Sequence, residues 1–163
     1  MNKPDIRESN HTDIPFMNEM LYEAVFWRKS DTTPSFKEAL KMPEIINALE
    51  NWGKRDGDTA VIASVGGKRI GAAWFRYWDD SNQIRGYINE DIPVIAIGVQ
   101  SGCRKSGTGT KLMESLMDCA RRNSIKIVIL AVSKDNDALR LYRRLGFREY
   151  EDKGDWLIMT RGV

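Results

Sequence analysis

The segment "IPVIAIGVQSGCRKSGTGTKLMESLM", Ile92–Met117, constrains the fold more than any other stretch of the chain. An apolar run ends at Val99, and a loop with glycines at 102, 107 and 109 leads into an amphipathic stretch. Over Thr110–Arg122, Leu112, Met113, Leu116, Met117 and Ala120 recur at helical spacing. A nearly unbroken apolar run reads as a central strand covered on both faces. "IKIVILAV", Ile125–Val132, supplies a second such strand. The spacing therefore predicts a right-handed β–α–β unit, with the glycine loop beyond the first strand's C-terminal end. That place suits an anion, because the first N–H groups of a helix have no partner inside it.

The remaining elements follow from local signals. "PDIRES" is a short strand. "DIPFMNEMLYEAVFWRK" reads as a helix, with Asp13 as N-cap, Pro15 in the first turn and Met17, Met20, Leu21 and Ala24 on one face. "PSFKEALKM" and "PEIINALENWGKR" are one or two helices broken at Pro43. Gly66-Gly67 between "DTAVIASV" and "KRIGAAWFRYW" marks a hairpin with a two-residue turn. "YINEDIPVIAIGV" is the strand that enters the loop. "DNDALRLYRRLGF" is a helix opened by Asp135 or Asn136 and stopped by Gly146. "FREYEDK" and "DWLIMTR" form a terminal antiparallel pair. The order is β-α-α-β-β-β-α-β-α-β-β. It implies an α/β (α+β) fold, a central mixed sheet with flanking helices, as one domain over residues 1–163.

Composition narrows the function classes. A net charge of +2, with 25 basic residues interleaved among 23 acidic ones, gives no concentrated basic stripe for nucleic acid. Cys103 and Cys119 with a single histidine, His11, match no zinc pattern and no disulfide framework. No metal site is expected. Reduced thiols, no apolar run of membrane-spanning length and no signal-like N-terminus point to a cytoplasmic protein without a membrane partner.

Two phosphate-binding motifs fail on spacing. Gly102 and Gly107 have the separation of a P-loop, but Thr108-Gly109 stands where Lys-Ser/Thr is required. Gly107-Thr108-Gly109 begins a dinucleotide fingerprint, but Leu112 occupies the third glycine position. A third pattern fits. Arg104-Lys105-Ser106-Gly107-Thr108-Gly109 resembles Arg/Gln-x-x-Gly-x-Gly/Ala, the acetyl-CoA pyrophosphate loop of the GNAT N-acetyltransferases. "VSKDNDALRLYRRLGF" resembles that family's later segment, through Asn136, Ala138, Tyr142, Gly146 and Phe147. The likeness is clear over Ile92–Phe147, and before that only the order of elements agrees.

The resemblance implies a GNAT-like fold whose parallel strands splay apart after Val99 and Val132. It implies acetyl-CoA as cosubstrate and direct transfer of an acetyl group to a primary amine in a ternary complex. Backbone N–H groups from Lys105 through Ser106, Gly107, Thr108 and Gly109 to Thr110 would hold the pyrophosphate. Arg104 and Lys105 would add charge, and Arg143 or Arg144 would reach the 3′-phosphate. The pantetheine arm would pair with Ile97 and Val99 like an added strand. Asn136 either bonds that arm or simply caps its helix. Tyr142 matches the tyrosine that protonates the departing thiolate, or it packs as a half-buried aromatic. For the general base the candidates are Glu90 and Asp91, if a bulge at Pro93 turns them inward, or a chain of water.

The acceptor side is less marked. Phe26, Trp27, Trp74, Tyr77 and Trp78 with Asp79-Asp80 could build an aromatic, acidic cleft for a cationic amine, small molecule or peptide, although most of these aromatics suit a core equally well. Cys103 has no base beside it and reads as a packing residue. Dimers are frequent among GNAT proteins. Two rival classes remain: an acyl-CoA-binding module without catalysis, and a nucleotide-binding regulator that the failed P-loop spacing disfavours.

Overall fold

The computed structural model describes residues 2–163. One seven-stranded sheet runs through it in the order β1-β2-β3-β4-β5-β7-β6. The strands are β1 (Asp5–Glu8), β2 (Thr59–Val65), β3 (Lys68–Arg76), β4 (Val94–Val99), β5 (Ile127–Ser133), β6 (Arg148–Asp152) and β7 (Trp156–Gly162). All neighbours are antiparallel except β4 and β5. Gly66 and Gly67 both take positive φ, 58° and 80°, as the two-residue turn between β2 and β3 demands.

Period-2 alternation divides the sheet between two cores. On one face α4 (Thr108–Arg122) buries Leu112, Met113, Leu116, Met117 and Ala120 against Val61, Ala73, Phe75, Ile95 and Val128. The short helix α5 (Ala138–Arg144) joins that core through Leu139 and Tyr142. On the other face α1 (Ile14–Val25) and α3 (Pro43–Leu49) cover Ala60, Ile62, Ala72 and Trp74, with the one-turn α2 (Phe36–Ala39) between them. Two helices therefore flank Pro43, which opens the second.

Three expectations change. Asp13 precedes α1 but makes no cap bond to it. Its buried carboxylate takes both Arg7 guanidinium nitrogens, at 2.7 and 2.8 Å, and Arg69 at 3.1 Å, and the Arg7 contact holds it well below the usual carboxylate range. Strand β4 begins at Val94, not Tyr87, because residues 79–92 leave the sheet as a connection that turns back over it. Helix α4 starts two residues early, at Thr108, so Gly109 lies in its first turn.

Candidate functional site

Strands β4 and β5 pair only at Val94 and Ile129, where the Pro93 carbonyl accepts from Ile129 N at 3.1 Å. They part just beyond that point, well before Val99 and Val132. The end of β4 is held elsewhere. Helix α1 lies so close on β4 that a Cβ at Gly98 would run into the Met20 carbonyl. The Val99 carbonyl accepts Arg104 Nε at 3.2 Å. By alternation, Ile95, Ile97 and Val99 turn their backbone groups toward β5, since even-numbered Gln100 donates to Ile70 of β3. Ile97 and Val99 thus border an open gap and are half-buried.

At the gap's open end the loop from Gln100 to Gly107 winds into α4. Lys105 and Gly107 take left-handed φ values of 60° and 86°, with Ser106 between them. This alternation points successive N–H groups into one concavity. No backbone N–H from Arg104 to Thr110 has a hydrogen-bond partner among the described residues; the first helical bond is Lys111 N to the Gly107 carbonyl. The side chains brace the loop from within. Ser106 Oγ donates to the Cys103 carbonyl at 2.6 Å and lies 3.0 Å from the Thr108 hydroxyl, which is buried. The two glycines differ in kind: a Cβ on Gly107 would meet nothing within 4 Å, whereas one on Gly109 would touch Leu141 Cδ2 at 3.1 Å. Gly109 is therefore a packing glycine against α5, and Gly107 a conformational one. Seven free N–H donors in succession at a helix N-terminus are a setting that suits an anion.

The basic residues divide. Arg104 turns from the loop to the end of α1, bonding Glu23 Oε2 at 3.0 Å, the Glu23 carbonyl at 3.3 Å and the Trp27 carbonyl at 3.4 Å. Its charge is spent on a clamp. Lys105 remains exposed, 3.5 Å from Asp137. Arg144 lies among Glu114, Arg121 and Arg161 along the middle and C-terminal part of α4, away from the loop.

Tyr142 is buried, its ring edge-on to Phe147 at 5.9 Å, and its hydroxyl has no hydrogen-bond partner among the described residues. Burial raises its phenol pKa well above the ordinary value, so it holds its proton. Asn136 Oδ1, just before α5, accepts from Ala138 N at 3.0 Å, and its amide nitrogen has no hydrogen-bond partner among the described residues. Glu90 and Asp91 are exposed in the turn before β4, at the closed end of the strand pair. The β3–β4 register runs unbroken from Gly71 and Val99 to Arg76 and Val94, where it ends one residue after Pro93.

Trp74, Trp78, Asp79 and Asp80 are each engaged elsewhere than in an aromatic, acidic cleft. Trp74 belongs to the core under α1 and α3. Trp78 is buried beside Arg76, whose guanidinium pairs with Asp58 at 2.8 Å. Asp79 folds into a turn with Ser81 and Asn82, and Asp80 accepts Tyr87 Oη at 2.6 Å. Two features had no signal in the sequence. Arg28, just past α1, pairs with Asp135 at 2.8 Å and so straps the mouth of the gap. Arg85 stacks on Trp156. Both depend on contacts between segments far apart in the chain.

Known proteins resemble this chain in sequence and fold. The sequence model of the acetyltransferase (GNAT) family matches residues 22–147. An uncharacterized N-acetyltransferase of Methanocaldococcus jannaschii is 32% identical over 112 residues, covering 68% of this chain and 48% of its own length. The chain thus spans about half of that relative. An L-methionine sulfoximine/L-methionine sulfone acetyltransferase of Pseudomonas aeruginosa is 26% identical over 147 residues, covering 87% of this chain and 78% of its own. The structure of an N-acetyltransferase from Thermoplasma acidophilum in complex with coenzyme A superposes with a TM-score of 0.67, at 16% identity, over 99% of this chain and 100% of that one.

Proposed function

The chain belongs to the GNAT family of acetyltransferases, and from that membership we propose that it moves an acetyl group from acetyl-CoA directly to a primary amine bound beside it. One observation carries the reading: seven consecutive unpartnered N–H groups stand where a strand parts from its parallel neighbour. A strand gap ending in an anion cradle suits an extended ligand with a pyrophosphate at one end. The relative named for methionine derivatives supports a small amine as acceptor.

Acetyl-CoA, when bound, supplies the activated thioester. The chain supplies the rest. N–H groups of Lys105, Ser106, Gly107, Thr108, Gly109 and Thr110 bind the pyrophosphate, with Lys105 adding charge. Ile97 and the Val99 N–H hold the pantetheine arm in the gap, and the Asn136 amide is free to bond it. Positioning of this kind replaces a bimolecular encounter by a bound geometry. As the carbon–nitrogen bond forms and the carbon–sulfur bond breaks, Tyr142 Oη gives its proton to the departing sulfur. The amine proton passes to water, and water restores the Tyr142 proton. In this reading Glu90 and Asp91, exposed in the turn before β4, take no direct part.

The test measures free-thiol release from acetyl-CoA over a panel of amines. Tyr142→Phe should lower the transfer rate by about 100-fold while acetyl-CoA affinity stays unchanged, as for loss of a general acid. Glu90→Gln and Asp91→Asn should stay within about twofold of wild type, since water carries that proton. Wild-type turnover in Tyr142→Phe, where chemistry limits the rate, refutes the acid role. CoA binding with no thiol release from any amine would make the protein a binding module.

A further inference from the structure

We propose that Arg85 recognises a carboxylate on the acceptor, so that the amine substrate is a small amino acid or amino-acid analogue. The inference rests on acetyl transfer taking place at the β4–β5 gap, as proposed above.

The acceptor must enter from the sheet face opposite α4 and α5, because those helices close the other face. Leu130, Val132 and Leu157 point to the α4 side. By alternation Ala131 and Ser133 of β5 point the other way, as does Trp156, which lies directly across from Ser133. On β4 the same face carries Ala96 and Gly98, with α1 seated on Gly98. On this face the seam between α1 and Trp156 carries Ala96 and Ala131, both small and half-buried.

The β3–β4 connection brings Arg85 beside this seam. Gly86 is wedged over the seam, where a Cβ would lie 3.4 Å from the Ala131 Cβ and 3.5 Å from Val94 Cγ1. Its φ of 99° fits glycine alone. One residue earlier, the Arg85 guanidinium lies 4.7 Å from the centre of the Trp156 ring. Ala131 and Ser133 are two residues apart on β5, about 6.6 Å. An α-amino acid is short enough to bridge such a distance, with its amine over the gap and its carboxylate toward Trp156.

The cation is also free to act. Arg7, Arg28, Arg69, Arg76, Arg104 and Arg122 each reach a carboxylate, but Arg85 makes no hydrogen bond or ion pair among the described residues. Asp155, adjacent to Trp156, does not pair with it. Contact with a ring face holds the exposed guanidinium near Trp156 and leaves N–H groups for a carboxylate, which an arginine fork can bind in bidentate fashion. A fixed cation beside the gap also disfavours a protonated amine there, which keeps the nucleophile neutral. The same cation repels polyamines.

The experiment compares wild type, Arg85→Gln and Arg85→Lys on L-methionine, L-methioninamide and cadaverine, reading thiol release and calorimetric binding of L-methionine to the enzyme with CoA bound. Arg85→Gln should raise KM for L-methionine at least 10-fold with kcat within about twofold, abolish calorimetric binding, and leave L-methioninamide unaffected. Arg85→Lys should fall between, because it keeps the charge and loses the fork. An equal loss on acid and amide would make Arg85 merely structural and overturn the proposal. So would an unchanged KM for L-methionine in Arg85→Gln, or acetylation of cadaverine alone. In these outcomes acetyl transfer itself stands. Absence of thiol release with every amine and every variant, with CoA still bound, overturns the transferase reading and this assignment with it.

Discussion

Replacing Gly107 with alanine attacks the anion cradle without touching any neighbour. Gly107 stands at φ 86°, ψ −3°, and a Cβ there meets nothing within 4 Å, so the whole cost is backbone conformation. Holding an L-residue in the left-handed region costs about 1–2 kcal/mol. The variant can bear that cost in folding stability and keep the loop. Alternatively it can relax φ, which rotates the peptide planes on either side and misdirects the N–H groups of Gly107 and Thr108. Each charge-assisted bond so lost is worth about 1.5–3 kcal/mol, or on the order of 10- to 100-fold in Kd for CoA. Gly109→Ala is the control. Gly109 has no left-handed φ, its Cβ would touch only the tip of Leu141 at 3.1 Å, and alanine in a first helical turn offsets the crowding. Urea unfolding with and without CoA, together with calorimetric titration, separates the two sites. Gly107→Ala should lose about 1–2 kcal/mol of stability or at least tenfold in CoA affinity, and Gly109→Ala should lose neither. Gly107→Ala matching wild type in both measurements would refute the cradle, as would Gly109→Ala weakening CoA more.

Two further outcomes are expected. Gly98→Ala drives a methyl into the Met20 carbonyl, so α1 must lift from β4, and the urea midpoint should fall by the equivalent of about 1–3 kcal/mol; an unchanged midpoint would mean that α1 is not pinned there. The pH–rate profile should rise as the acceptor amine loses its proton and should show no alkaline fall below about pH 10, because burial keeps the Tyr142 phenol protonated beyond its usual range. A decline centred below about pH 9 would assign that proton to another group.

The chain itself dictates the strand–loop–helix unit and much of the site, because each signal there is local. The apolar run to Val99, the glycines of the loop and the period of α4 act over a few residues, and the fold keeps them all. The inward face of α5 at Tyr142 and the Asn136 side-chain bond to Ala138 N are local in the same way, since helix phase and turn bonds are decided within one turn. Tertiary structure alone decided where the long side chains went. Arg104 and Arg85 are both arginines beside conspicuous segments, yet one is consumed by Glu23 and Trp27 at and just past the end of α1 and the other lies over Trp156. Long flexible side chains take whatever partner the packing brings near, and packing brings together residues that sequence separates by 70 positions or more. The width of the gap has the same origin. Strand character is written into β4 and β5, but their early parting follows from α1 pressing on Gly98 and Arg104 taking the Val99 carbonyl. Those contacts exist only once the sheet has formed.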